Sequence, residues 1–177
     1  MMNRRNILSL SFITALGLAL VPSGALSQQK TLKEQIIGTW MAVSWMQVNM
    51  DGSTFQRFGS YPKGVSVFDT NDRFIVMYAR PDLLKIDSSN PMKATPDENR
   101  SIVEGSIAYF GTSHVDETAK TITLLIESST FPNEIGREQK RTITSLTASE
   151  LKMSNPGTLS GSTLNYAMRR APTFASK

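Results

Sequence analysis

Six side chains could do chemistry together if the chain brought their segments side by side: Tyr78, Arg80, Tyr109, Glu127, Gln139 and Arg141. A carboxylate and a guanidinium meeting inside an apolar enclosure have two uses. As an ion pair, Glu127 and Arg141 would fix structure, and leaving either alone would be costly. Facing a ligand, they would orient a polar group, or Glu127 would serve as a proton-transfer base. In that second use Tyr109 shares the acid–base work, and Arg141 or Arg80 holds an anionic substrate group. Other chemistry is absent from the composition. The chain has no cysteine, so thiol catalysis and cysteine metal sites are excluded. Its one histidine, His114, cannot build a zinc site of two or three imidazoles. His114 also has parity opposite to Tyr109 on their shared segment, so it should face away from it. The nine methionines are dispersed, which reads as core filling. No metal or cofactor is expected.

Segments of alternating polarity position these residues. Thr39 to Val48, Lys63 to Thr70, Arg73 to Arg80, Ser106 to Val115, Lys120 to Ser128, Arg137 to Leu146, Leu151 to Ser154 and Thr163 to Arg170 are rich in β-branched and aromatic residues. Asp51-Gly52, Asn71-Asp72 and Asp116 to Ala119 mark turns between them. Two short helices break the pattern. Thr31-Leu-Lys-Glu34 fits a capping box. Thr95-Pro96-Asp97-Glu98 offers a cap, a proline at the first helical position and acids in the first turn. The fold class is therefore all-β: an antiparallel barrel or sandwich of about 8–10 strands with one or two short helices. Period-two alternation puts Phe74, Val76, Tyr78 and Arg80 on one face. It groups Tyr109 with Ile107 and Gly111, Leu125 with Thr123 and Glu127, and Gln139 with Arg141 and Ile143. Several strands are apolar on both faces, as expected if a helix or a second copy of the chain covers part of the outside. The loops at Pro81 to Ala94 and at Phe131-Pro132 could line a barrel mouth.

The first residues are set aside. Arg4-Arg5, the uncharged run Ile7 to Val21 and the small-residue stretch Ala25-Leu26-Ser27 have the layout of a cleaved secretion signal. The run is short for a membrane span, which needs roughly 20 apolar residues. Residues 1–27 are thus read as a signal peptide and 28–177 as one domain, periplasmic or secreted. Two adjacent arginines also fit twin-arginine export. Cleavage removes no acid and lowers the net charge from +4 to about +2. The remaining basic residues form no stripe, so nucleic acid is not an expected partner.

Gly38-Thr39-Trp40 at the entry to the first strand resembles the G-x-W start of lipocalin-type barrels. Ile37 to Trp45, Phe58-Gly59 before Pro62-Lys-Gly64, Asn71-Asp-Arg73 leading to Ala79-Arg-Pro81, and Tyr109-Phe-Gly-Thr112 are similar to the bacterial lipocalin-like domain family. So are Val115-Asp116, Glu127-Ser128, Phe131-Pro132, Gly136 and Gln139-Lys-Arg141. The resemblance spans nearly all of the mature chain. It implies a calycin-type barrel with an internal cavity. It also implies that Trp40 plugs the narrow end beneath a late arginine, Arg170 rather than Arg169, in a cation–π contact. Both are structural residues. It does not imply a single activity. Where relatives carry histidine after the turn, Leu124 and Leu125 stand here.

Three functions follow. The first is an exported module binding a small, partly apolar molecule, with Tyr78, Arg80, Tyr109, Glu127, Gln139 and Arg141 as candidate contacts. The second is an isomerase, cyclase or hydrolase acting inside the cavity through Glu127, Tyr109 and Arg141. The third is a non-catalytic envelope protein. The partner in the first two is a lipophilic or amphipathic small molecule, and a homodimer is compatible with all three. An apolar cavity without a carboxylate favours the carrier, and convergence of Glu127 with Tyr109 favours the enzyme.

Overall fold

The computed structural model describes residues 30–172, so the reading of residues 1–27 lies outside the described part. Helix α1 (Leu32–Ile36) precedes the strands β1 (Gly38–Val48), β2 (Thr54–Phe55), β3 (Lys63–Phe68) and β4 (Arg73–Ala79). Helix α2 (Pro96–Gly105) then leads into β5 (Ser106–Asp116), β6 (Thr121–Ser129), β7 (Glu138–Leu146), β8 (Glu150–Asn155) and β9 (Thr163–Arg170). Every neighbouring pair is antiparallel in the order β2-β1-β3-β4-β5-β6-β7-β8-β9, and β1 also pairs with β9. That last pairing closes eight strands into a barrel, with β2 as a short flap on β1. Closure leaves the barrel without a free edge, the usual antiparallel solution to exposed backbone groups. None of the described helices is long and apolar enough to cross a membrane.

The seam fixes the closed end. Trp40 pairs with Arg170 and Val48 with Thr163, with a bulge between Ala42 and Ser44. Helix α1 lies across this end because its orphan N-terminal groups are all met. Thr31 and Glu34 form the capping box, and the Glu117 carboxylate of the β5–β6 turn accepts from the backbone N–H of Leu32 and of Lys33 at 2.8 and 3.0 Å. Trp40 is fully buried, and its indole N–H donates to the Ile36 carbonyl at 2.7 Å. The Arg170 guanidinium sits 4.1 Å from the Trp40 ring and donates to the carbonyls of Gln35, Ile37 and Ala148. Gly38 permits this approach: its φ of 130° suits glycine alone, and a Cβ there would lie 2.6 Å from Arg170 Nη1.

Above the plug the barrel is solid. Phe68, Phe74, Val76, Ile122, Leu124, Ile126, Leu151, Met153 and Met168 fill its lower half. At the open end α2 starts with Thr95 and Glu98 in a second capping box. It is stopped by Arg57, which donates to the carbonyls of Val103 and Glu104 at the helix C-terminus. A 3-10 turn at Pro132–Glu134 bends the β6–β7 connection over the same end.

Candidate functional site

The upper barrel holds a cavity of about 280 Å³. Its walls are largely aromatic. Trp45 and Tyr166 come from the seam strands, Tyr78 from β4, Tyr109 and Ile107 from β5, and Phe131 from the turn above. Phe58 reaches in from the β2–β3 connection. It stacks on Tyr78 at 5.7 Å and meets Trp45 edge-on at 5.0 Å. The polar wall groups are Gln47, Arg57, Glu134, Gln139 and the hydroxyls of Thr158 and Ser160. The volume lies near the lower end for small-molecule sites, which run from about 300 to 1,000 Å³.

Arg141 lies one side chain below the cavity and is 1% exposed. One of its terminal nitrogens, Nη2, donates to the Tyr109 hydroxyl at 2.6 Å and to Gln139 Oε1 at 2.7 Å. Its guanidinium stands 4.6 Å from the Tyr166 ring and 5.9 Å from that of Tyr109. Among the described residues no salt bridge includes it, and its Nε–H has no acceptor. Gln139 is held from its other side, because its amide donates to Glu134 Oε2 at 2.9 Å. Burial opposes the charge on Arg141, but the surrounding phenol groups outweigh it and the guanidinium stays protonated.

The same burial acts on the tyrosines. It pushes the Tyr78 phenol up to about 12, with Tyr109 adding to the shift and Arg141 opposing it. Burial also raises Tyr166, against the pull of Arg141. Both are therefore neutral at physiological pH. A phenol whose folded-state pKa exceeds its unfolded value of about 10 contributes stability that is complete below that value. The contribution is lost as pH rises toward the folded value. The tyrosine contribution to stability should be constant up to about pH 10 and then fall between about 10 and 12. Tyrosinate absorbance followed alongside far-ultraviolet dichroism checks this. Complete ionisation of all four tyrosines in a chain still fully folded would contradict it.

The structure brings four of the six sequence candidates together. Tyr78, Tyr109 and Gln139 line the cavity, and Arg141 is bonded beneath it. Two candidates are corrected. Glu127 is on the outer wall, where both its oxygens accept from Arg73 at 2.5 and 2.7 Å. The inner face of β6 is Ile122, Leu124 and Ile126, not Thr123, Leu125 and Glu127. Ile122, Leu124 and Ile126 are all apolar whereas Thr123 and Glu127 are polar, so the alternation itself puts Glu127 on the outer face, contrary to the expectation of an inward carboxylate. A bulge follows at this point. Gly111 pairs with Ile126 while Phe110 pairs with Ser128, which leaves Glu127 as the extra residue. The Glu127–Arg141 ion pair accordingly does not form. Arg80 is also outside. It follows the end of β4, and its guanidinium clasps Asp82 at 2.8 and 3.0 Å in solvent.

Sequence reasoning missed Tyr166, Phe58, Arg57 and Glu134 as site residues. Tyr166 was legible: it lies two residues before Met168 on the inward face of the last strand. Phe58, Arg57 and Glu134 sit in connections, where no periodicity points to the interior.

A closed antiparallel calyx, plugged at one end and carrying an aromatic cavity at the other, is the architecture of small-molecule-binding barrels. The family model described as the lipocalin-like domain matches residues 37–171, and the chain belongs to that family. Among solved structures it is similar to a lipocalin-like protein from Bacteroides uniformis at 13% identity and a TM-score of 0.41, covering 77% of this chain and 99% of that one. It is also similar to bovine odorant-binding protein in complex with a selenium-containing odorant, at 15% identity and a TM-score of 0.41, covering 81% and 75%. A triple mutant of the bovine protein aligns at 14% identity and a TM-score of 0.38, covering 80% and 77%. No curated protein matches the sequence.

Proposed function

We propose that the mature chain is an exported carrier holding a small, partly apolar molecule in the open end of its barrel. One observation carries this reading: an aromatic cavity of about 280 Å³ above a packed core, at the end opposite the Trp40 plug. Apolar walls supply affinity through burial, and a few fixed polar groups supply orientation. The acid–base pair that the enzyme reading needs is not assembled, because Glu127 is outside the barrel with Arg73. The carboxylate that does line the cavity, Glu134, is engaged with the Gln139 amide. Export rests on the basic, apolar and small-residue pattern of residues 1–27.

Native mass spectrometry of the protein recovered from its source tests both parts. The expected result is a chain beginning at Gln28 with a co-purified small molecule. A second arm offers 1-aminoanthracene, a neutral apolar fluorophore, to the stripped protein and reads its emission. An uncleaved N-terminus would overturn export. A protein that is empty from its source and also fails to take up the probe would overturn the carrier.

A further inference from the structure

The cavity's polar floor contains an imbalance that the carrier reading alone does not explain. The molecule satisfies two other partly buried arginines with backbone carbonyls. Arg170 donates to three backbone carbonyls while lying on Trp40, and Arg57 donates to the carbonyls of Val103, Glu104 and Ser106. Arg141 is more deeply buried than Arg57, and its treatment is different. Like them it has no ion pair among the described residues, but its acceptors are a phenol and a side-chain amide rather than backbone carbonyls, and its Nε–H is bare. A buried charge without a counter-charge is among the most costly groups in a core, so a fold selected only for stability would replace it.

Both acceptors of Arg141, Tyr109 and Gln139, are cavity walls. Gln139 Oε1, at 2.7 Å, occupies the place where an oxyanion would accept from the guanidinium. Its hold is limited to that bond and to the one its amide makes with Glu134 on the mouth turn. A ligand oxygen can take its place by rotation of one side chain, with no movement of a strand. Arginine's planar fork suits a two-oxygen acceptor.

We propose that the molecule bound in this cavity carries a carboxylate, which displaces Gln139 Oε1 and pairs with Arg141 while its apolar body lies among the aromatic walls. This rests on the carrier reading and specifies its ligand. The charge on Arg141 matches a monoanion: one buried cation balances one carboxylate, whereas a phosphate dianion would bring a second negative charge to walls that already carry Glu134. Tyr109 donates its hydroxyl proton to the second carboxylate oxygen, and that hydroxyl oxygen continues to accept from Nη2. The ligand class is a short-chain or single-ring aromatic carboxylic acid.

The test is calorimetric titration of the full mature chain with matched sets: octanoate, 1-octanol, methyl octanoate and octyl phosphate, then phenylacetate against 2-phenylethanol. For the wild-type protein we expect each acid to bind at least thirty-fold more tightly than its alcohol or ester, and octanoate more tightly than octyl phosphate. Arg141→Met should remove the preference for acids while retaining 1-aminoanthracene, and Gln139→Ala should strengthen acid binding about threefold by removing the internal competitor. Equal affinity of acid and alcohol for the wild-type protein overturns the proposal whether or not any variant folds. Uptake of 1-aminoanthracene with no preference for acids sinks the carboxylate assignment alone. Failure of every ligand and of the fluorophore sinks the carrier reading with it. Tighter binding of octyl phosphate than of octanoate overturns the monoanion in favour of a phosphate.

Discussion

Trp40→Ala is expected to lower the unfolding free energy by about 3–5 kcal/mol, the usual cost of emptying an aromatic core position. Three losses coincide at this site. The indole is fully buried, its N–H bond to the Ile36 carbonyl disappears, and the Arg170 guanidinium loses the ring 4.1 Å beneath it. Water entering the void would still leave Arg170 bonded to its three carbonyls, so the end of the barrel should loosen without every contact being lost. Domains of this size hold about 5–15 kcal/mol in all, and 1 kcal/mol corresponds to roughly 2–4 °C. The midpoint should therefore drop by roughly 10–15 °C in a thermal melt followed by circular dichroism. Trp40→Phe keeps most of the packing and should recover more than half of the loss. A drop of only a degree or two in the alanine variant would mean that the plug is not what holds this end closed.

Gly111→Ala should be nearly as damaging, from the loss of no contact at all. A Cβ at this position would overlap the Leu125 carbonyl oxygen and lie 3.0 Å from the Glu127 nitrogen. Both are backbone atoms of the neighbouring strand, so no rotamer change relieves the clash. The ladder between β5 and β6 would have to open at its bulge. Overpacking in a well-ordered core costs about 1–3 kcal/mol, and a backbone clash belongs at the upper end, near 3 kcal/mol. Urea denaturation checks it: the midpoint should fall with the slope unchanged. A slope that falls with it would indicate that the barrel has opened at this strand pair in the native state. A variant as stable as the parent would show that the β6 bulge relocates freely.

These two positions also mark how far sequence alone carried the interpretation. The eight barrel strands and both capped helices were legible because each depends on local chemistry: alternation, turn residues and caps; the G-x-W entry came from resemblance. Trp40 under Arg170 came from resemblance, because residues 130 positions apart carry no mutual signal. Parity was legible on β7, where Glu138, Lys140, Thr142 and Thr144 make one face plainly polar, and on β4, where Phe74, Val76 and Tyr78 share the inner face. It was misjudged on β6, where Leu125 lends apolar character to the face of Glu127 although Ile122, Leu124 and Ile126 mark the inner one. Arg141 was visible as a charge on an inward face. Its lack of a counter-charge was not, because the sequence offered Glu127 as a partner and only the fold sends that carboxylate outside to Arg73.

The seam between β1 and β9 has a temporal consequence. The opening strand of the domain finds one of its two partners only when the final strand exists, since Ile37 and Arg170, joined by a hydrogen bond at 2.9 Å, are 133 residues apart. Loops of that length are slow to close, and topologies dominated by distant pairings fold in milliseconds to seconds. During synthesis β1 stays unsatisfied along one side until β9 is available to pair with it. Any step that acts on the chain before β9 emerges therefore meets an open sheet, and the upper cavity, walled in part by Leu164 and Tyr166 of β9, exists only once the seam has closed.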